Sequence, residues 1–472
     1  MSATVRHHVT AYRDELLADL DAWLRIPGIS AQPENHDDVA RSAEWLKGAF
    51  ENVGFPTVEI WTVKTRTGPG LPAVYAEWPA AEPDAPTVLV YGHHDVQPVD
   101  PIELWHTDPF RPTRDGDILR ARGASDDKGQ VLFHLTGLRA HLAATERTSP
   151  AVTLKFLIEG EEESGSPTFQ QLLDEHRDRL ECDVVVITDT GMIGADRPST
   201  VTGMRGMVGG QVDFHGPDID LHSGVFGGAV PNPLTALSRL VAALHDDEGR
   251  VQIPGFYDDV LDLTDQERAL FNAVPFDAQE FLGVARSRAL AGEFGRSTLE
   301  RIGARPTAEV NGVWGGYTGP GGKTIIATDA HVKLSFRLVA DQDPVRVQRA
   351  VERFVADHTP AGITAHVEWE GDGVSPCLVP IGTPAYEALT RAISAAFDGA
   401  EVLPTREGGS GPEAAIATTL GKPLVFLGVG LPDDQIHAPN EKVTLSMLFR
   451  GAEAAAHLWA EFAALGRAGL TA

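Results

Sequence analysis

The apolar run Thr87–Tyr91 stops at Gly92-His93-His94-Asp95, and the same kind of stop recurs along the chain. Val152–Ile158 ends at Glu159-Gly160-Glu161-Glu162-Glu163-Ser164-Gly165, and Asp183–Ile187 ends at Thr188-Asp189-Thr190-Gly191. Gly123-Ala124-Ser125-Asp126-Asp127-Lys128-Gly129 opens a helical stretch, and Ile436-His437-Ala438-Pro439-Asn440-Glu441 lies near the far end. Short β-branched runs alternating with helical periodicity predict an α/β layer with a mostly parallel mixed sheet flanked by helices. In such a sheet, groups just past the carboxyl ends of the strands converge on one crevice. Taken singly, each cluster reads as a capping or solvated segment. Gathered together, the carboxylates would repel unless a multivalent cation held them. Imidazole and carboxylate donors without thiolates suit Zn²⁺, Mn²⁺ or Co²⁺.

The pattern breaks in the middle of the chain. Helical spacing is read at Tyr12–Leu24, Val39–Phe50 and Lys128–Ala144, and strands at Thr57–Val63 and Ala73–Trp78. After about Val201, an alternating strand at Gln211–Phe214 leads to a helix at Leu234–His245. The stretch Gly255–Gly322 is Gly/Pro-rich and reads as irregular. A strand at Val332–Val339, a helix at Pro344–Ala356 and a strand at Ile363–Trp369 follow. Polar alternation there predicts a smaller α+β domain with a half-exposed antiparallel sheet. The α/β texture returns with a strand at Leu424–Val429 and a helix at Leu445–Leu465. The expectation is a discontinuous domain, 1–202 and 374–472, interrupted by an insert at 203–373.

At 472 residues two domains are expected on size alone. Lys and Arg number 39 against 67 Asp and Glu, a net charge of −28, which argues against nucleic acid and anionic membranes as partners. Only two cysteines occur, Cys182 and Cys377, too few for a disulfide framework or a thiolate site, and cytoplasm is the expected compartment.

The motifs carry a resemblance. Tyr91-Gly92-His93-His94-Asp95-Val96-Gln97-Pro98, Asp126-Asp127-Lys128-Gly129, Glu162-Glu163-Ser164-Gly165, Leu221-His222-Ser223-Gly224 and His437-Ala438-Pro439-Asn440-Glu441-Lys442 resemble the cytosolic non-specific dipeptidase and carnosine dipeptidase group. That group belongs to the co-catalytic metallopeptidases, with acetylornithine deacetylase, succinyl-diaminopimelate desuccinylase and glutamate carboxypeptidase. The resemblance spans nearly the whole chain in the same order. It implies a catalytic domain with an inserted lid that dimerises, so the chain is expected to form a homodimer through 203–373.

The resemblance further implies two divalent metals, Zn²⁺ foremost, bridged by Asp126. His93 and Asp189 would complete one site, Glu163 and His437 the other. Three carboxylates against two dications leave a Lewis-acidic centre. Glu162 is implied as general base, and Asp95 as the group that orients the His93 imidazole. His222 would reach a neighbouring subunit's site and stabilise the oxyanion. Arg337 would clamp the substrate carboxylate with the backbone of Gly408, Gly409 and Ser410. His94 departs from the usual apolar residue of its motif, and Trp314 and Tyr317 add aromatics to the insert. The leading expectation is a dipeptidase cleaving next to a free carboxylate. The alternative enzyme is a deacylase or carbamoylase of N-substituted amino acids. A non-catalytic metal-binding protein is disfavoured, because a structural site needs ligands and no base such as Glu162.

Overall fold

The computed structural model describes residues 2–65 and 68–470. Helices α1 (Ser2–Ala11), α2 (Arg13–Leu24) and α3 (His36–Val53) precede strands β1 (Thr57–Trp61), β2 (Ala73–Trp78) and β3 (Thr87–His93). Helix α4 (Lys128–Thr145) leads to β4 (Thr153–Glu159) and β5 (Val184–Ile187). Then come β6 (Gly206–His215), α5 (Pro233–Ala243), β7 (Thr307–Gly315), β8 (Asp329–Leu338), α6 (Pro344–His358) and β9 (Thr364–Trp369). Strand β10 (Leu424–Phe426) and helix α7 (Leu445–Leu470), which breaks at Gly466, complete the series.

Two compact units result. One comprises Met1–Thr202, Val379–Thr405 and Ala415–Ala472, the other Gly203–Leu378 and Arg406–Ala414. The pieces 374–378 and Arg406–Ala414, which the sequence reading kept with the outer portions, group with the insert. Backbone bonds explain this: Met207 N–H donates to Val374 O and Arg205 N–H to Glu407 O, while the Ser410 hydroxyl donates to Arg205 O.

In the first unit the sheet order is β1-β2-β4-β3-β5-β10. Strand β3 runs parallel to β4 and β5, and β5 parallel to β10, while β2 is antiparallel to both β1 and β4. A strand covered on both faces must be apolar throughout, and β3 is buried at every position. Helix α4 is buried on nearly every side, which explains its lack of an amphipathic stripe. It meets α7 closely because Gly137 offers no Cβ, an atom that would lie 2.7 Å from Ala452 O. Register then does the positioning. His93 pairs with Glu159 across β3 and β4, and Tyr91 with Ile187 across β3 and β5. The three following clusters therefore leave the sheet at one edge.

The second unit holds an antiparallel sheet, order β7-β8-β6-β9. Burial alternates along β6 and β8, and one face packs on α5 and α6. Val347, Ala350, Val351 and Phe354 line the buried stripe of α6 at helical spacing. Two expectations need correction here. Strand β6 runs through Gly206, Gly209 and Gly210 instead of starting after them; a Cβ at Gly210 would sit 2.7 Å from the Trp369 ring, so this glycine admits a close neighbour. The stretch read as irregular contains helices Asp265–Ala273, Ala278–Ala285 and Thr298–Gly303 as well as β7. Capping boxes Thr264/Glu267 and Ser297/Glu300 start two of these helices, a signal independent of apolar periodicity. Among the described residues no helix is long and apolar enough to cross a membrane.

Candidate metal centre

All the groups expected to bind metal fall in the first unit. His93 ends β3, Asp126 sits in the loop before α4, Glu163 in the short 3₁₀ turn Glu162–Ser164 after β4, and Asp189 just past β5. His437 lies in the loop beyond β10, in the left-handed region at φ 59°. His93 Nε2 is 2.9 Å from Asp126 Oδ1 and 3.6 Å from Asp189 Oδ2. His437 Nε2 is 3.0 Å from Asp126 Oδ2 and 3.2 Å from Glu163 Oε2. The two oxygens of Asp126 thus face two different groups of donors.

Neighbouring side chains hold these donors in place. The His93 Nδ1–H points at the carbonyl oxygen of Asp95 (3.2 Å), with Asp95 Oδ1 close by at 3.3 Å but less well aligned. Asp95 Oδ2 also accepts from Glu163 N–H at 3.0 Å, so one buried carboxylate touches the segments of two candidate donors. Three contacts escaped the sequence reading. Gln97 donates to Glu163 Oε2 at 2.7 Å. Buried Asp127 accepts from His93 N–H at 3.2 Å, and Gly92 clears room for it, since a Cβ there would lie 2.6 Å from Asp127 Oδ2. Asp434 accepts from the Ser125 hydroxyl at 2.7 Å, tying the His437 loop to the Asp126 loop. Gln97 and Asp127 stand inside quoted motifs, whereas nothing local marks Asp434. His94 points away from the cluster: its Nε2–H donates to Pro72 O at 2.8 Å, and burial lowers its pKa to about 4.

The electrostatics show an excess of negative charge in the cluster. Burial, and then the charges of Asp189, Glu163 and Glu159, push Glu162 up to about 10. Burial and the charge of Asp126 raise Glu163 to about 7. Hydrogen bonds to Asp126 and Glu163 raise His437 to about 10. Burial opposes charge on His93, yet its carboxylate partners Asp126, Asp189 and Asp95 raise it well above the ordinary value. Left to itself, the cluster holds protons to offset its negative charge, and cations would serve the same end. The donors fit that role. One ligand atom each from His93, Asp126 and Asp189 lies within 4.8 Å of the others, and the same holds for Asp126, Glu163 and His437.

The remaining expected residues belong to the second unit. Arg337, on β8, donates from Nη1 to the Ser410 hydroxyl at 2.8 Å. Arg205, which the sequence reading passed over, stands beside it: burial and the Arg337 charge lower its pKa to about 10, and its Nε finds no acceptor. Gly408 lies against this second guanidinium, for a Cβ would come 2.7 Å from Arg205 Nη2. His222 is exposed, and its Nδ1 accepts from Gly224 N–H at 3.0 Å. Trp314 stacks on His331 with ring centroids 4.9 Å apart, and Tyr317 donates to Pro320 O.

The chain is similar to known metallopeptidases along nearly its whole length. The chain is 31% identical to the Beta-Ala-His dipeptidase of Homo sapiens over 475 residues, covering 98% of this chain and 92% of that one. It is 30% identical to the Cys-Gly metallodipeptidase of Candida albicans, with 93% of each chain covered. Among solved structures, an M20 family metallo-carboxypeptidase from Sulfolobus solfataricus superposes with a TM-score of 0.82 at 31% identity, covering 96% of this chain and all of that one. The family model described as Peptidase family M20/M25/M40 matches residues 89–461, and the chain belongs to that family.

Proposed function

We propose that this protein is a metal-dependent dipeptidase that hydrolyses the amide bond of dipeptides with a free C-terminal carboxylate. The observation that carries the reading is Asp126, whose two carboxylate oxygens face separate donor groups, with the buried Glu162 carboxylate among the charges of His93, Asp189 and Glu163. Two divalent cations, Zn²⁺ foremost and Mn²⁺ or Co²⁺ as alternatives, held by His93, Asp126 and Asp189 and by Asp126, Glu163 and His437, would polarise the scissile carbonyl and acidify water.

The chain's own groups supply the rest. Glu162 takes a proton from the attacking water on its carboxylate and returns it to the departing amine nitrogen. Asp95 keeps the His93 ring oriented through Nδ1. Arg337 and Ser410, already bonded to each other, hold the substrate carboxylate with the backbone at Gly408 and Gly409. His222 serves from a second copy of the chain, as the oxyanion donor of a homodimer formed through the inserted unit. The two cysteines are free and buried, which supports a cytoplasmic setting.

The likeness to a metallo-carboxypeptidase makes longer peptides the competing substrates. Hydrolysis of Ala-Leu, Ala-Leu-amide, Ala-Ala-Leu and N-acetyl-leucine by wild type and Arg337→Ala decides among the readings. An amidated end leaves donors unmet at about 1–3 kcal/mol per group, so Arg337→Ala should harm Ala-Leu strongly and the amide little. Equal turnover of Ala-Leu and its amide refutes the clamp. Preference for N-acetyl-leucine or for the tripeptide refutes the dipeptidase reading.

A further inference from the structure

Glu441 lies at the end of the His437 loop and is fully buried. Its side chain reaches into the backbone of the Asp126 loop. Oε1 accepts from Ser125 N–H at 3.0 Å and from Asp126 N–H at 3.2 Å. Oε2 accepts from Gly123 N–H at 2.9 Å and from Arg122 Nη1 at 2.7 Å. The second arm of the Arg122 guanidinium reaches Ala438 O at 3.4 Å, next to His437, and Pro98 O at 3.1 Å.

The location of this clasp gives it meaning. Residues Ile118–Arg120 pair antiparallel with Lys442–Thr444, and the ladder ends at Lys442↔Arg120. The two loops that part there carry ligands for both candidate sites. Beyond the last ladder pair, Glu441 O still accepts from Ala121 N–H, and its carboxylate takes the next amides in place of a partner strand. One of those amides belongs to Asp126, the residue shared by both donor groups. The groups that hold a ligand's backbone decide where its side chain points, as a hydrogen-bond partner does for a ligating imidazole.

We infer that Glu441 is a positioning residue for the metal centre, its buried carboxylate fixing the Asp126 loop against the His437 loop and thereby setting cation affinity. The inference rests on the metal-centre reading proposed above. Neither obvious replacement can copy the clasp. In Glu441→Gln the amide NH₂ must face either the Arg122 and Gly123 donors or the Ser125 and Asp126 donors, whichever way it is turned. Glu441→Asp keeps the charge but is one methylene too short to reach every amide.

The test is Zn²⁺ affinity by chelator competition on wild type and both variants, with the unfolding midpoint of each metal-free protein measured beside it. Leu389→Ala, at a fully buried core position of the same unit, supplies a destabilised variant at a residue that belongs to neither loop. Glu441→Gln should bind Zn²⁺ about 10–100-fold more weakly, Glu441→Asp should fall between it and wild type, and Leu389→Ala should bind as wild type does. A folded Glu441→Gln that binds like wild type overturns the inference, as does a Leu389→Ala that loses as much affinity. If Glu441→Gln does not fold, unchanged affinity in Glu441→Asp overturns it; if neither folds, the residue serves the fold alone and the inference is again overturned. A wild-type protein that takes up no Zn²⁺ refutes the metal centre itself, before any variant is compared.

Discussion

His134 lies on α4, is fully buried, and has no hydrogen-bond partner at either ring nitrogen. It packs as an aromatic against Phe133, Phe156 and Trp459, and burial alone pushes its pKa down to about 3 from 6.5. The folded protein must therefore keep this ring neutral, while the unfolded chain protonates it below 6.5. Because the unfolded state then binds more protons, stability falls as pH drops from about 6.5 towards 3, at about 1.4 kcal/mol per unit. At pH 5.5 this loss amounts to about 1.4 kcal/mol, and at pH 7.5 it is absent. His134→Leu should stabilise at pH 7.5, since each unmet buried polar group costs about 1–3 kcal/mol, offset by whatever the new side chain loses in packing. Packing differences are the same at both pH values. The gain at pH 5.5 must therefore exceed the gain at pH 7.5 by about 1.4 kcal/mol. His94 and His141, also held neutral by burial, titrate alike in both proteins and cancel. Urea unfolding followed by tryptophan fluorescence in a chelating buffer measures both gains. At pH 5.5 the 67 acidic side chains still outnumber 39 Lys and Arg plus 17 His, so the chain stays anionic. Equal gains at the two pH values refute the account of His134.

Glu162→Gln should keep both cations yet lose about 10²–10⁴-fold in kcat, the usual contribution of a general base, while Glu163→Gln should lose metal; elemental analysis of the purified variants reads this, and the reverse pattern would exchange their roles. His222→Ala should lower kcat more than it raises KM, because an oxyanion donor acts in the transition state. Mixing inactive His222→Ala and Glu162→Gln subunits should restore part of the activity through hybrid dimers, and no recovery after demonstrated subunit exchange would mean that His222 acts within its own chain or not at all.

What could be read from the chain follows from how burial leaves its mark on sequence. A strand covered on both faces has to be apolar, so Thr87–Tyr91 announced itself, and its abrupt end at His93 marked where the candidate metal donors gather. The same logic made Glu162, Glu163 and Asp189 visible as the ends of neighbouring strands. It gave little for 255–322: β7 is an edge strand whose positions from Glu309 onward are all exposed or half-buried, and Ala278–Ala285 has no buried residue, so no clear apolar period marks either. Hydrogen bonds between distant segments leave less trace still. Glu441 meets Ser125 across 316 positions of sequence, and no local pattern separates its carboxylate from any other at the end of a loop. Arg205 and His134 illustrate the same blindness in opposite senses. An arginine before a strand and a histidine inside a helix look ordinary until the fold shows that neither the Arg205 Nε nor the His134 ring meets an acceptor. The ligands of such a centre are therefore easier to recognise in a sequence than the groups that hold them, because a ligand sits where a regular element stops, whereas its support is chosen only when two loops meet.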